Sequence, residues 1–249
     1  MSDPTDFPPL SAEPANSTRM FNVPPIVLGF VGVLTLVHLV VILFPPEARW
    51  VIIEHLGVRP TVYKEVLSGG HALTWGSVGT LGAPLLAYAF LHGSLTHLGF
   101  NALWLIAIGT PVARRLGGIR FIAFFFVTSI LGVVAYIGLR LSSDIPVVGA
   151  SGGISGLMGG LGRLMFAPKS YDPMTKRVAG LMDRRVLTFA AVLTITNVIF
   201  AFGGIDVATT GAAVAWQVHI AGFAAGLLLY GFFDNGRSRN WPPLYKPRQ

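Results

Sequence analysis

A hydroxyl beside an imidazole is the smallest set of side chains that performs nucleophilic acyl transfer. The ring nitrogen takes the proton as the oxygen attacks, and separate uncharged donors hold the oxyanion that forms. This sequence carries candidates for each part. Ser151 and Ser155 stand in Gly149-Ala150-Ser151-Gly152-Gly153-Ile154-Ser155-Gly156, and His219 lies far along the chain. His97 and Asn101 are four residues apart, so a helix puts them on one face. There is no cysteine, which removes thiolate nucleophiles, disulfides and cysteine-ligated metals. His92 and His97 do not share a helix face, no acidic ligand stands near them, and the His-Glu-x-x-His pattern is absent. No metal and no cofactor is expected.

The elements that must position these groups are apolar. Of the 249 residues 53% are hydrophobic and 12% charged, with mean hydropathy +0.65, about half the charge of a soluble domain. The chain is therefore read as an integral, all-α polytopic membrane protein. Six runs are apolar enough to span: Ile26 to Phe44, Leu95 to Ile108, Ile119 to Leu139, Val147 to Phe166, Val186 to Phe202 and Val214 to Phe233. The second is short and needs a kink or a partly water-lined top. Residues 1–20, rich in Pro, Ser and acid, read as a disordered cytoplasmic tail, 21–235 as the six-span domain, and 236–249 as a cytoplasmic C-terminal tail. Between the first two spans lies a long semi-apolar loop, Pro45 to Ser94, in which Leu81 to Leu91 reads as an interfacial segment.

Net charge of +7 does not point to nucleic acid, because the basic residues sit in short loops between spans. Fourteen Lys and Arg fall on one side of the six spans and four (Arg49, Arg59, Lys64, Arg140) on the other, which places both termini in the cytoplasm and the start of the fourth span outside. The spans hold no Asp, Glu, Lys or Arg well inside them, which argues against an ion pump or proton-coupled transporter. What they hold is His38, His97, Asn101, Ser151, Ser155, Asn197 and His219. His38 has no polar partner in its own span and is assigned to packing. His97, Asn101, Ser151 and His219 all fall near the distal ends of their spans, at similar depth. With no carboxylate to complete a triad, a Ser-His dyad is the hydrolytic arrangement that the spans allow.

The glycines have two readings. At four-residue spacing (149/153, 152/156, 156/160) they present a flat face for a neighbouring helix, and packing alone would account for that. Gly149-Ala150-Ser151-Gly152-Gly153 also satisfies G-x-S-x-G, but that elbow needs a strand before the serine, which an apolar membrane run does not provide. Spacing leaves both serines within reach of His219, since four residues along a helix is about 6 Å and nearly one face. Ser151 is favoured because it follows Pro146 in the first turn, where backbone N–H groups are unpaired.

Three motifs carry a family resemblance: Gly149-Ala150-Ser151-Gly152 opening one span, His92-Gly-Ser-Leu-Thr-His97-Leu-Gly-Phe-Asn101 opening another, and Ala215-Trp-Gln-Val-His219-Ile-Ala-Gly222-Phe-Ala-Ala-Gly226 in the last. Together, over about residues 84 to 232, they resemble the rhomboid family of intramembrane serine proteases. The resemblance implies Ser151 as nucleophile, His219 as general base, and His97, Asn101 and the Ser151 N–H as the oxyanion hole. Gly149, Gly152, Gly222, Gly226 and His92 are supporting positions, and Gly222 with Gly226 would let the sixth span approach the fourth. The sequence departs from the common family pattern at Ala83-Pro84, where Trp-Arg is usual, at Ala113, where Glu is usual, and at Ser155, where an aromatic ring often stacks on the histidine. The first two bear on loop anchoring and stability, the third on how His219 is held.

The expected function is an intramembrane serine endopeptidase of the cell (inner) membrane, acting on transmembrane segments of other proteins within the lipid bilayer. A catalytically silent rhomboid-like protein that binds membrane clients is the alternative, against which the joint presence of Ser151, His219, His97 and Asn101 speaks. The charge distribution predicts that reporter fusions at the C-terminus and near Asp144 report opposite sides of the membrane; the same side from both would contradict six spans.

Overall fold

The computed structural model describes residues 23–69, 75–167, 178–202 and 215–234; the two tails expected at 1–20 and 236–249 lie outside them. The described residues form helices α1 (Pro25–Ile42), α2 (Pro46–Leu56), α3 (Pro60–Ser68), α4 (Trp75–Ala87), α5 (Leu95–Leu116), α6 (Gly118–Leu139), α7 (Ser151–Met165), α8 (Arg184–Phe202) and α9 (Trp216–Phe233), with a 3-10 turn at Tyr88–Phe90. Proline opens α1, α2 and α3, where its missing N–H costs no helix bond and its fixed φ suits the first turn.

Among the described residues four helices, α1, α5, α6 and α9, are long and apolar enough to cross a membrane. Their outer faces carry Leu28 and Leu36, Leu103 and Trp104, Val127 and Leu131, and Leu228 and Phe232, all exposed, as lipid contact requires. The fourth and fifth expected spans correspond to α7 and α8, and two boundaries differ from the sequence reading by more than two residues. Helix α5 does not stop at Ile108 but runs 22 residues through Pro111, ending where Gly117 turns at φ 78° behind Arg114 and Arg115. Proline removes one backbone bond from α5, and the helix continues around it. Helix α7 is shorter than the run that contains it. Val147 is held extended by a two-bond bridge to Val58, and the helix begins only at Ser151. Its 15 residues rise about 22 Å, well short of a hydrocarbon core of about 30 Å.

That short helix is the centre of the bundle, packed against α5, α6 and α9. Glycine makes this possible. A Cβ on Gly222 would strike the Gly152 carbonyl oxygen, one on Gly226 the Gly156 carbonyl, and one on Gly159 the Phe223 carbonyl. Helices α7 and α9 therefore meet backbone to backbone. On the α6 side, Gly132 passes so close that a Cβ would lie 2.8 Å from the Val218 carbonyl oxygen. Between these contacts Phe121, Phe124, Phe125, Leu157 and Tyr230 are buried and fill the core. At the far end Arg115 donates to both carboxylate oxygens of the buried Asp234 at 3.0 Å, tying α5 to the end of α9.

The long loop after α1 is anchored without a Trp-Arg pair. Arg59 bonds Glu54 at 2.7 Å and lies 3.5 Å from Asp144, Thr61 Oγ1 donates to Asp144 at 2.6 Å, and Tyr63 OH donates to the Leu81 carbonyl at 2.7 Å. Ala83 and Pro84 sit inside α4, the helix that runs into the interfacial stretch. Ala113 is buried in α5.

The α7–α9 crossing makes a clear stability prediction. Gly226→Ala places a methyl group against a backbone carbonyl that cannot swing aside, so it should destabilise the fold by about 1–3 kcal/mol or more, read as a lower thermal midpoint in detergent. Gly138→Ala, with nothing within 4 Å, should leave the midpoint unchanged or raise it. Equal midpoints for the two variants would contradict this packing.

Candidate functional site

The close crossing sets the site. Ser151 is the first residue of α7 and His219 the fourth of α9, so each lies in the first turn of its helix, just above the Gly152–Gly222 contact. Ser151 Oγ is 2.8 Å from His219 Nε2, a hydrogen bond between a hydroxyl and an imidazole. Both side chains are half-buried, packed on the protein side and open enough to be reached. Ser155 lies one turn deeper, on the same helix, and the serine hydroxyl on His219 Nε2 is that of Ser151.

A turn in the backbone makes room beside the serine. Gly149 adopts φ 120°, a conformation that side chains rarely allow. A Cβ there would lie 2.7 Å from both Cε1 and Nε2 of His97 and 3.5 Å from Nδ2 of Asn101. The two side chains thus flank the chain two residues ahead of Ser151. Asn101 is buried, and its Nδ2 has no hydrogen-bond partner among the described residues. A buried donor left unspent is costly unless something else accepts from it. His97 is fixed from its backbone, whose N–H donates to Ser94 Oγ at 3.1 Å, the N-cap of α5. The N–H groups of Ser151, Gly152 and Gly153 belong to the unpaired first turn of α7. His97 and Asn101 thus stand beside the stretch of chain that leads into this first turn.

Tyr88 holds this corner together. Its hydroxyl donates to the Ser129 carbonyl at 2.8 Å, and its own carbonyl accepts the Gly149 N–H at 2.8 Å. A Cβ on Gly152 would come within 2.9 Å of the Tyr88 oxygen, so this phenol also seats α7 against α6. The sequence does not mark Tyr88, since a tyrosine in a semi-apolar loop carries no spacing signal. His92 is buried with Nδ1 3.3 Å from the Phe90 carbonyl, and its ring lies edge-on to His97 at 5.1 Å between centroids. It backs His97. His38 is buried too, against His92 at 6.4 Å, a packing neighbour on α1.

A polar group other than a carboxylate stands behind the imidazole. Asn197 of α8 places Oδ1 3.2 Å from Nδ1 of His219, on the opposite side of the ring from Ser151. Sequence showed Asn197 as a polar residue in the fifth span, but no spacing relates one helix to another. Among the described residues no aromatic ring stacks on His219.

An all-helical membrane bundle with a serine–imidazole pair beside uncharged donors defines the class of protein. The chain belongs to the rhomboid family: the family model described as "Rhomboid domain" matches residues 82–234. Similar curated proteins include Rhomboid protease GluP of Bacillus subtilis, 32% identical over 142 residues, which are 57% of this chain and 24% of that protein. RHOMBOID-like protein 4 of Arabidopsis thaliana is 32% identical over 61% of this chain and 34% of its own length. Rhomboid protease GlpG of Serratia proteamaculans is 30% identical over 62% of this chain and 49% of its own. The matched part spans less than half the length of each of these relatives.

If the site is catalytic, with Asn101 Nδ2 and His97 as oxyanion donors, then Asn101→Ala or His97→Ala, each folded as judged by an unchanged thermal midpoint, is expected to lower turnover by roughly 10² to 10³, the usual loss for one such donor. Full turnover in both variants would make these residues packing groups.

Proposed function

We propose that this chain is an intramembrane serine endopeptidase that cuts transmembrane segments of other membrane proteins through Ser151 and His219. The 2.8 Å bond between Ser151 Oγ and His219 Nε2 is the observation that carries the reading. In the first half-reaction Ser151 Oγ attacks the carbonyl carbon of the substrate peptide bond while His219 Nε2 takes the hydroxyl proton. The tetrahedral oxyanion is held by Asn101 Nδ2, His97 and the Ser151 N–H. Collapse breaks the C–N bond, and His219 returns its proton to the departing amine. Water then attacks the acyl-enzyme, giving its proton to His219, which passes it back to Ser151 Oγ as the carboxyl product leaves. His219 begins each cycle neutral.

One feature supports a substrate from the bilayer. Ser151 opens a helix too short to reach across the hydrocarbon, and such a helix at the centre of the bundle suits a serine set within the membrane. A helical peptide bond has its carbonyl committed and its flanks shielded, so the substrate must unwind locally, and Gly or Pro near the cut favours that. Two of the similar proteins are named as proteases, which agrees with this reading.

Purified protein in detergent, incubated with a generic single-span substrate, tests it. Cleavage is expected from the wild type, none from Ser151→Ala, and nearly wild-type cleavage from Ser155→Ala. Cleavage that survives Ser151→Ala and is lost with Ser155→Ala would move the nucleophile one turn deeper. No cleavage by a folded wild type across several such substrates would favour a client-binding protein.

A further inference from the structure

We propose that Asn197 is the positioning residue of His219, fixing its ring and its tautomer so that the site is a Ser151–His219–Asn197 triad with no permanently charged member. The proposal rests on the reading of His219 as general base. Its evidence is the direction of two hydrogen bonds. Asn197 has one face toward the Leu193 carbonyl, with Nδ2 at 2.9 Å, and the other toward His219 Nδ1, with Oδ1 at 3.2 Å. A backbone carbonyl only accepts, so the amide NH2 must face Leu193. The amide oxygen then faces the imidazole, and because that oxygen also only accepts, Nδ1 must carry the hydrogen. In the neutral ring this leaves Nε2 bare, and Nε2 is the atom 2.8 Å from Ser151 Oγ. The helical backbone of α8 thereby dictates which nitrogen can take the serine proton.

The surroundings give this bond its weight. A neutral imidazole free to turn has two tautomers and two ring orientations, and only one combination accepts from Ser151. No aromatic ring stacks on His219 among the described residues, and Ser155, below Ser151 on α7, is too small to restrain the ring. The bond to Asn197 is therefore the directional contact that holds it. An amide also suits the medium. In water-exposed triads the orienting group is a carboxylate, which stabilises the imidazolium as well as setting the tautomer; cysteine proteases of the papain type use an asparagine. Inside a bilayer a carboxylate would be stripped of water with no cation nearby, since no charged residue lies within the middle of α8. An amide orients the ring at no such cost.

The test reads the tautomer directly. Protein labelled with 15N-histidine, with His219 assigned by difference against His219→Gln, is compared with Asn197→Leu and Asn197→Asp. The wild type should show neutral His219 protonated at Nδ1. Asn197→Leu should show a mixture of tautomers, and Asn197→Asp should restore the Nδ1–H form. In cleavage assays Asn197→Leu should lose roughly 10- to 10²-fold in kcat with KM unchanged, a part of what general-base catalysis supplies, and Asn197→Asp should recover some of it. Thr196→Ala, a neighbouring exposed position on α8, should cleave like the wild type. A wild-type His219 protonated at Nε2, or an Asn197→Leu protein with an unaltered Nδ1–H form, would overturn the proposal. If Asn197→Leu fails to fold, the wild-type spectrum alone still decides. Should the wild type cleave nothing, the proteolytic reading falls while the tautomer measurement judges Asn197 independently.

Discussion

The contact on which the rest depends is the passage of two glycine-bearing helices against each other at carbonyl range. Where Gly222 meets Gly152 and Gly226 meets Gly156, the axes of α7 and α9 come closer than any side chain would permit. In lipid no hydrophobic force drives helices together, so close packing and polar contacts must do it. The crossing has a geometric result beyond its packing energy. His219 stands in the first turn of α9 and Ser151 at the first position of α7, and because the backbones nearly touch below them, two short-reaching groups arrive at 2.8 Å. A larger residue at the crossing would separate them before it altered either one chemically.

Around that crossing the protein avoids charge where water is scarce and spends it where water is available. The groups around Ser151 are hydroxyl, imidazole, amide and backbone N–H, none of which brings the desolvation cost of a permanent ion. Ion pairs occur at the ends: Arg59 with Glu54 and Asp144 beside the opening of α7, and Arg115 with Asp234 where α5 and α9 finish. The long loop, tied down by Arg59, Thr61, Tyr63 and the Val58–Val147 bridge, fixes where α7 starts. Starting α7 at Ser151 rather than at Val147 gives that serine an unpaired N–H and gives Gly149 the turn that opens onto His97 and Asn101.

Much of this was legible in the chain because membrane proteins compress information into local patterns. Apolar runs located most of the helices, glycines at four-residue spacing marked the face of α7, and the pair His97 and Asn101 announced a shared helix face. Four other features were not legible, for physical reasons. Helix α5 outlasts its apolar run because Pro111 removes only one hydrogen bond, which a periodicity reading overstates. The start of α7 depends on a bridge to Val58, nearly ninety residues away in the chain. Asn197 has meaning only through a neighbour on another helix, and a search for a buried carboxylate looks past an amide. The anchoring of the long loop was likewise invisible, since Arg59 and Asp144 carry no motif.

The central claim, that the hydroxyl activated by His219 is the one at the mouth of α7, is most directly tested by where a covalent probe attaches. Treatment of the detergent-solubilised protein with a fluorophosphonate, followed by peptide mapping in the mass spectrometer, should find a single adduct on Ser151. The adduct should disappear in His219→Ala at an unchanged thermal midpoint. An adduct on Ser155, or labelling of Ser151 that is undiminished without His219, would contradict the account.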